Sequence, residues 1–332
     1  MFFTSSGNRA DSHYQGTFNG NGDDWHDFSA GDETIDLTIS TGSGGAGNYY
    51  LCWSNSSTDF DFYLYNNAMT QVASSTNSGG TFEEFYFENT TGSTGTYHLA
   101  VLYRSGSTAG VQIEIFSHNA GTWNEHTVAA GSTTSPSNAT NTGVVSVGAV
   151  AHGSYSQPNG SDVIKSYSSR GPSNSGMTLP DLCGPTDTTG YIYPGGFGGT
   201  SAATPNAAGA ACAFWSADSG LSNYAIRWLM REQADLSRDW GASGDDNVYG
   251  KGGAILADYH YGTEWLARSY GNSDDSTDAP YYTFQAAHDA IPSGGRMLVF
   301  AGSYPETALL GDTGKSMTIE LVPDSSSATM GD

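Results

Sequence analysis

The amino-acid sequence predicts an α/β fold built on a parallel sheet and interrupted by an all-β sandwich. A near-continuous apolar run, VVSVGAV at 144–150, is typical of a strand buried on both faces of a parallel sheet. Helical patterns follow it, as expected for an α/β layer. Short alternating segments, separated by Gly, Ser and Asn, fill residues 17–125 and are typical of a β-sandwich.

The chain is strongly acidic, with 34 Asp and Glu against 11 Lys and Arg and a net charge of −23 at pH 7. Such a surface repels phosphate groups, so we expect neither nucleic acid nor an anionic membrane as a partner. No apolar run approaches the length of a membrane span. The 44 glycines and 20 tyrosines favour a β-rich extracellular or cell-surface protein whose targeting segment lies outside this chain. An acidic cytosolic protein is the alternative.

The three cysteines, Cys52, Cys183 and Cys212, are odd in number and stand among apolar or small residues. They predict no disulfide framework, and their spacing does not fit a zinc site.

The predicted organisation has four parts. Residues 1–16 and 126–262 form the α/β part, and residues 17–125 form an inserted sandwich with a core of its own. A polar linker occupies 263–279, and residues 280–332 form a separate C-terminal segment.

Two helices are predicted in the α/β part, at 201–215 and 221–234. The first consists mainly of Ala and other small residues, which favours close packing on a sheet. The second is amphipathic, and its predicted buried face comprises residues at positions i, i+3, i+4, i+7 and i+8. These residues are Leu221, Tyr224, Ala225, Trp228 and Leu229.

The string GTSAATPNAAG at 199–209 carries the clearest chemical signal. It places Ser201 in the first turn of the small-residue helix, where unpaired amides stabilise negative charge. We also expect Pro205 in that first turn, where its missing N–H costs nothing. For the short Gly-Thr-Ser alone, a turn that caps an ordinary buried helix is the alternative.

The whole string resembles the serine signature of the subtilisin-like serine peptidases (subtilases), Gly-Thr-Ser-x-Ala-x-Pro with a downstream Gly. Further segments resemble this family in the same order: VSVGA at 145–149, YSSRGP at 167–172, PDLCGP at 180–185 and YGKG at 249–252. The resemblance covers residues 1–8 and about 128–261. It implies the C-terminal portion of the catalytic domain, and therefore a partial doubly wound parallel-sheet subtilisin fold.

The resemblance also implies roles for individual residues. Ser201 would be the nucleophile, and Asn8 would bind the oxyanion together with the backbone N–H of Ser201. The substrate-binding wall would include Ser5, Ser6, Gly7 and Thr200. The substrate would be a polypeptide, and no cofactor would be required. A turn without catalytic function is the alternative for Asn8.

The family's triad runs in the order Asp, His, Ser, so we expect the Asp and the His upstream of Met1. His13, His152 and Asp312 match parts of the family's motifs but occupy the wrong places. The first hypothesis is therefore a serine endopeptidase that is inactive as residues 1–332 alone. A catalytically dead, secreted glycan- or surface-binding protein is the second, and a truncated β-helix polysaccharide enzyme is the third.

The segment TDFDFYLY at 58–65 resembles the Asp-x-Asp-aromatic strand of pre-peptidase C-terminal β-sandwich modules. Asp59 and Asp61 would point to one face of that strand. They predict either a structural Ca²⁺ site or two solvated carboxylates. The aromatic residues Trp25, Trp53 and Tyr86 would form core or contact glycans.

The tail contains YTFQAAHDAIPSGG at 282–295 and GSYPE at 302–306. It is similar to the first turn of right-handed parallel β-helix domains. One such coil cannot bury its own apolar face, so the resemblance implies an incomplete β-helix at 280–332.

Overall fold

The computed structural model describes residues 1–119, 121–141, 143–217, 223–256, 263–266, 284–291, 293–294, 296–299, 302–304, 316–321 and 328–330. The strands, in chain order, are β1 (Phe2–Ser5), β2 (His13–Thr17), β3 (Ile35–Ile39), β4 (Ala46–Trp53), β5 (Asp59–Asn66), β6 (Gln71–Ser75), β7 (Phe82–Glu88), β8 (Gly95–Ser105), β9 (Gln112–His118), β10 (Thr122–Trp123), β11 (Val144–Ala151), β12 (Leu182–Thr186), β13 (Thr263–Leu266), β14 (Arg296–Val299), β15 (Gly302–Tyr304), β16 (Thr318–Leu321) and β17 (Ala328–Met330). The α-helices are α1 (Thr200–Ala217), α2 (Asn223–Arg238) and α3 (Phe284–Ala290), and short 3₁₀ turns occupy Gly42–Gly45 and His152–Ser154.

The chain divides into two compact units. The parallel-sheet unit comprises Met1–Ser5, Ala139–Ile164 and Pro180–Asp332. The antiparallel-sheet unit comprises Ser6–Asn138 and Lys165–Leu179. No helix within the described residues is both long and apolar enough to cross a membrane.

The parallel-sheet unit contains a three-stranded sheet in the order β1-β11-β12. Phe2 pairs with Val144 and Val147 pairs with Leu182, both in parallel register. The six central residues of β11 are buried, as the apolar run predicts. This α/β arrangement agrees with the fold class predicted from the sequence.

Helix α1 packs on all three strands of this sheet and on α2. Small residues allow the close approach, because a Cβ at Gly184 would lie only 2.3 Å from the carbonyl oxygen of Ala203. Pro205 lies inside the helix, beyond its first turn, so the expected first-turn position was wrong. Its missing N–H leaves the carbonyl oxygen of Ser201 without the usual helical donor four residues on.

Helix α2 is amphipathic, but its buried face differs from the predicted one. Tyr224 is 44% exposed, and Leu221 lies outside the described residues. Trp228 is half-buried, whereas Ala225 and Leu229 are buried as predicted. The buried apolar residues are Ala225, Ile226, Leu229, Met230 and Ala234.

A buried carboxylate joins α2 to the sheet. Asp181 Oδ2 accepts a hydrogen bond from the backbone N–H of Ser146 at 2.7 Å. Its Oδ1 pairs with Arg227 and with Arg231, whose Nη1 is 2.9 Å away. Because the carboxylate is only 6% exposed, these partners replace the water that burial removes.

The antiparallel-sheet unit contains a five-stranded sheet in the order β10-β3-β8-β5-β6 and a four-stranded sheet in the order β2-β9-β4-β7. Buried side chains alternate with less buried ones along β4, as period-two patterning predicts. Buried residues of both sheets form one hydrophobic cluster that includes Ile35, Leu51, Phe60, Leu99 and Ile113. The four-stranded sheet begins at His13, before residue 17, the predicted start of the insertion.

In the tail, β13, β14 and β16 pair in parallel, and β15 pairs in parallel with β17. Thr263–Leu266 form β13, although a linker was predicted from residue 263. The rest of the predicted linker, 267–279, lies outside the described residues.

All three cysteines are free thiols, as predicted. Cys183 is buried, and its pKa is raised by desolvation. Cys212 is exposed, so it does not act as a buried apolar residue.

Candidate active site

Ser201 lies in the first turn of α1 and is exposed, whereas its neighbour Thr200 is buried. Gly199 precedes the helix with a φ of +83°, a conformation that favours glycine. The backbone N–H of Ala202 bonds back to the carbonyl oxygen of Gly199 at 3.0 Å. The Ser201 hydroxyl has no hydrogen-bond partner among the described residues, so it is available to a ligand.

Two side chains fix the turn that presents Ser201. The Thr186 hydroxyl donates to the carbonyl oxygen of Gly199 at 3.0 Å. The Asn206 amide nitrogen donates to the carbonyl oxygen of Pro185 at 3.0 Å and to the Thr188 hydroxyl at 3.2 Å. The sequence pattern predicts no role for Thr186 or Asn206. The only feature of the local sequence that points to such a role is the polar amide of Asn206 within a helix of small residues.

The turn at 6–8 is held by a segment distant in sequence. Gly7 has a φ of +112°, and its carbonyl oxygen accepts the backbone N–H of Ser169 at 2.9 Å. The Ser169 hydroxyl in turn accepts the backbone N–H of Arg9 at 3.0 Å. Ser169 therefore fixes the backbone on both sides of Asn8.

The predicted site residues fall in both units. Ser5, Thr200 and Ser201 belong to the parallel-sheet unit, whereas Ser6, Gly7 and Asn8 belong to the antiparallel-sheet unit. The two predicted oxyanion donors, the backbone N–H of Ser201 and the amide of Asn8, thus belong to different units. The pairing of Asn8 with Ser201 stays a prediction.

The two histidines that match parts of the family motifs, His13 and His152, contact groups outside the predicted site. His13 is fully buried, with Nδ1 2.6 Å from the carbonyl oxygen of Val128 and Nε2 3.2 Å from the Glu114 carboxylate. His152 is exposed, and its Nδ1 lies 3.4 Å from the carbonyl oxygen of Thr186. Asp312 lies outside the described residues.

The predicted calcium ligands have different surroundings. Asp61 Oδ2 accepts the Tyr63 hydroxyl at 2.7 Å and lies 3.2 Å from Arg104 Nε. Desolvation, and then this hydrogen bond, raise the pKa of Tyr63 to about 12. Asp59 Oδ1 is buried without a hydrogen-bond partner among the described residues. Calcium binding by Asp59 and Asp61 stays a prediction.

A second group of side chains has the chemistry of a metal site. One ligand atom each from Asp32, Glu125 and His126 lies within 4.8 Å of the others. His126 Nε2 is 2.9 Å from Asp32 Oδ2, an arrangement that also forms an ion pair without a metal. Imidazole and carboxylate ligands together suit zinc or another transition metal.

Comparison with known proteins places these features in a family context. Residues 20–252 match the model of the subtilase family. This range contains Ser201 and begins after Asn8. No curated protein matches the chain in sequence.

Solved structures that match the chain include the following two. The Clostridium perfringens CspB protease has a TM-score of 0.50 and 15% sequence identity, covering 76% of this chain and 57% of that one. The chain thus spans little more than half the length of that protease, and at this identity the likeness concerns the fold. The pre-peptidase C-terminal domain of a Bacillus anthracis collagenase has a TM-score of 0.23 and 12% identity, covering 35% of this chain and 93% of that one.

Proposed function

The chain belongs to the subtilase family, and from this premise we propose that it acts as a serine endopeptidase with Ser201 as the nucleophile. The observation that carries the proposal is the position of Ser201. Its hydroxyl is exposed in the first turn of α1, directly after the left-handed Gly199, with no partner among the described residues. The turn at Gly199 therefore holds Ser201 with its hydroxyl free to react.

The proposed reaction is acyl transfer. The Ser201 oxygen attacks the carbonyl carbon of the scissile peptide bond, and its proton passes to a base and then to the leaving amine. Water hydrolyses the resulting ester, which releases the acid and restores the serine. The backbone N–H of Ser201 and the amide of Asn8 would stabilise the negative oxygen formed at each attack. This chemistry requires no cofactor.

We propose that the base and the carboxylate that orients it lie upstream of Met1, as the family order of Asp, His and Ser implies. A serine hydroxyl without a base is a weak nucleophile. His13 does not suit this role, because both of its ring nitrogens contact other groups in a buried site. Among the described residues β1 pairs only with β11, and Phe2 is 58% exposed, which leaves a surface on which a preceding segment would pack.

The substrate would be an extended polypeptide, with Ser5, Ser6, Gly7 and Thr200 along one wall of its binding site. The residues between Asn8 and Ser201 would include an inserted sandwich at 17–125 similar to pre-peptidase C-terminal modules. Two antiparallel sheets with a shared hydrophobic cluster support that assignment. The protein would act outside the cell or at its surface.

Steady-state kinetics of the full-length protein on a fluorogenic peptide tests the proposed roles. Ser201→Ala should abolish hydrolysis. Asn8→Ala should lower kcat by about 10²–10³ with little change in KM, a magnitude taken from loss of the corresponding donor in subtilisin. Asn67→Ala, at an exposed turn, is the matched control. Unchanged kcat in Asn8→Ala would remove Asn8 from the mechanism.

A comparison of residues 1–332 with the upstream-extended protein tests the origin of the base. We expect hydrolysis that depends on Ser201 only in the extended protein. If residues 1–332 alone hydrolyse the peptide and Ser201→Ala stops them, the base lies within this chain.

A further inference from the structure

A cavity of about 640 Å³ opens beside Asn8 in the antiparallel-sheet unit. Its lining includes Arg9 and, from the predicted insertion, Thr38, Ser117 and Thr122. This volume lies within the range of about 300–1,000 Å³ that is typical of ligand-binding pockets. The two sheets therefore contribute directly to the space next to the proposed oxyanion donor.

Arg9 is the cationic group of this cavity. Its Nη1 donates to the carbonyl oxygen of Ser117 at 3.0 Å, and its backbone is held by Ser169. Desolvation lowers the pKa of Arg9, although an arginine side chain remains charged at neutral pH. The guanidinium is therefore partly desolvated and held in place by Ser117. Its remaining N–H groups can donate hydrogen bonds to a ligand.

No carboxylate among the described residues forms an ion pair with Arg9. Asp11 acts on it only through space, raising its pKa by less than burial lowers it, and Asp11 is exposed to water. Screening by solvent weakens such an interaction. The charge of Arg9 is thus incompletely balanced within its own unit.

The rest of the lining is mostly hydroxyl and amide groups, with Ser40, Thr94 and Asn119 beside those already named, and it includes the exposed carboxylate of Asp11. Such groups bond to the polar atoms of a peptide rather than to an apolar side chain. The net charge of −23 repels anions from the molecule as a whole. A partly desolvated guanidinium in a polar cavity is therefore a local site for a carboxylate.

We propose that this cavity is a substrate subsite that binds a carboxylate of the peptide through Arg9. The inserted sheets would then select acidic substrates. The inference rests on the proposed function, since it takes Asn8 as the neighbour of the reacting carbonyl. The carboxylate is either an Asp or Glu side chain or the C-terminus of the peptide.

Equilibrium binding to the full-length Ser201→Ala protein tests the subsite without turnover. The probe is a fluorescein-labelled, alanine-rich peptide that carries Glu or Gln at each position in turn. Each peptide is made with a free and with an amidated C-terminus. We expect a carboxylate-bearing peptide to bind about tenfold or more tightly than its amide counterpart. The peptide series identifies which carboxylate is responsible.

Arg9→Gln should remove this preference, and high salt should weaken it. Arg104→Gln is the matched control, since Arg104 lies in the same unit but pairs with Asp61. Thr94→Trp, at an exposed position of the lining, should block the cavity while keeping Arg9. Equal binding of acid and amide peptides, or a preference that survives Arg9→Gln, overturns the subsite.

These outcomes are separable from those for the proposed function. Loss of hydrolysis in Ser201→Ala together with equal peptide binding rejects the subsite alone. A carboxylate preference in a protein whose hydrolysis does not depend on Ser201 rejects the proposed function and leaves a peptide-binding cavity.

Discussion

The carbonyl oxygen of Gly7 accepts a hydrogen bond from the backbone N–H of Ser169 at 2.9 Å. Gly7 has a φ of +112°, and a Cβ there would lie 2.7 Å from the Ser169 hydroxyl. Two separate physical constraints therefore require glycine before Asn8. One is backbone strain, and the other is a steric clash with the residue that holds the turn.

Gly7→Ala should destabilise the protein by about 1–3 kcal/mol and should lower kcat by displacing Asn8. Denaturant unfolding and peptide hydrolysis measure the two effects. Gly22→Ala is the control, because Gly22 has a φ of +105° but a Cβ added there would meet no heavy atom within 4 Å. Equal loss of stability in both variants would show that contact with Ser169 contributes nothing.

Asp181→Asn should destabilise the protein by about 3–5 kcal/mol, because it leaves the charges of Arg227 and Arg231 beside a neutral amide. Asp245→Asn provides the comparison. Asp245 also binds Arg231, at 2.6 Å, but its side chain is 36% exposed, so the expected loss is under about 1 kcal/mol. Urea unfolding measures both. Similar losses would mean that burial of Asp181 does not determine its contribution.

His26 should make stability depend on pH. It is fully buried, its Nδ1 accepts the backbone N–H of Asn19 at 3.1 Å, and its Nε2 lies 2.9 Å from the Tyr14 hydroxyl. Desolvation, and secondarily the charge of His126, lower the pKa of His26 to about 4. The unfolded chain binds the proton at a pKa near 6.5. Stability is therefore lost as pH falls from about 6.5 to about 4, by up to about 3 kcal/mol.

Denaturant unfolding between pH 7 and pH 4 measures this effect. His26→Gln should flatten the dependence relative to the unmodified protein, whereas the exposed His152→Gln should leave it unchanged. The same slope in His26→Gln and the unmodified protein would assign the pH dependence to other groups.

Asn206→Ala should lower kcat by about tenfold or more, since small displacements of a reacting group cost large factors in rate. Asn206 acts as a positioning residue, because its amide ties the start of α1 to Pro185. Ser216→Ala removes a hydrogen bond at the far end of the same helix and should leave kcat unchanged. The rate of Ser201 acylation, measured alongside thermal stability, separates positioning from unfolding. Equal acylation rates in both variants would contradict this role.

The local sequence was sufficient to predict strand β11 and the turn that precedes Ser201. The apolar run predicts a strand buried on both faces, and small residues after Thr200 predict a helix close to the sheet. Pro205 lies beyond the first turn of α1 although the helix start was predicted to within one residue. The hydrogen bond from Thr186 to Gly199, just before that start, joins residues 13 positions apart. Sequence patterning does not report such a contact.

The remaining features depend on contacts between distant residues. Asp181 contacts Ser146 and Arg231, and Arg9 contacts Ser117, although these partners are distant in the sequence. The buried face of α2 likewise includes Ile226 and Met230, which the predicted face left out. A hydrophobic pattern identifies the apolar face of a helix, but tertiary packing determines which residues at the edges of that face are buried.

The most direct test of Ser201 as the nucleophile is to locate the adduct formed by a fluorophosphonate, a probe that phosphonylates activated serines. The full-length protein would be labelled, digested and mapped by mass spectrometry, with Ser201→Ala as the control. We expect one adduct, on Ser201, whose formation parallels the loss of peptide hydrolysis. Inactivation with Ser201 unmodified, or hydrolysis that persists in Ser201→Ala, would contradict the assignment.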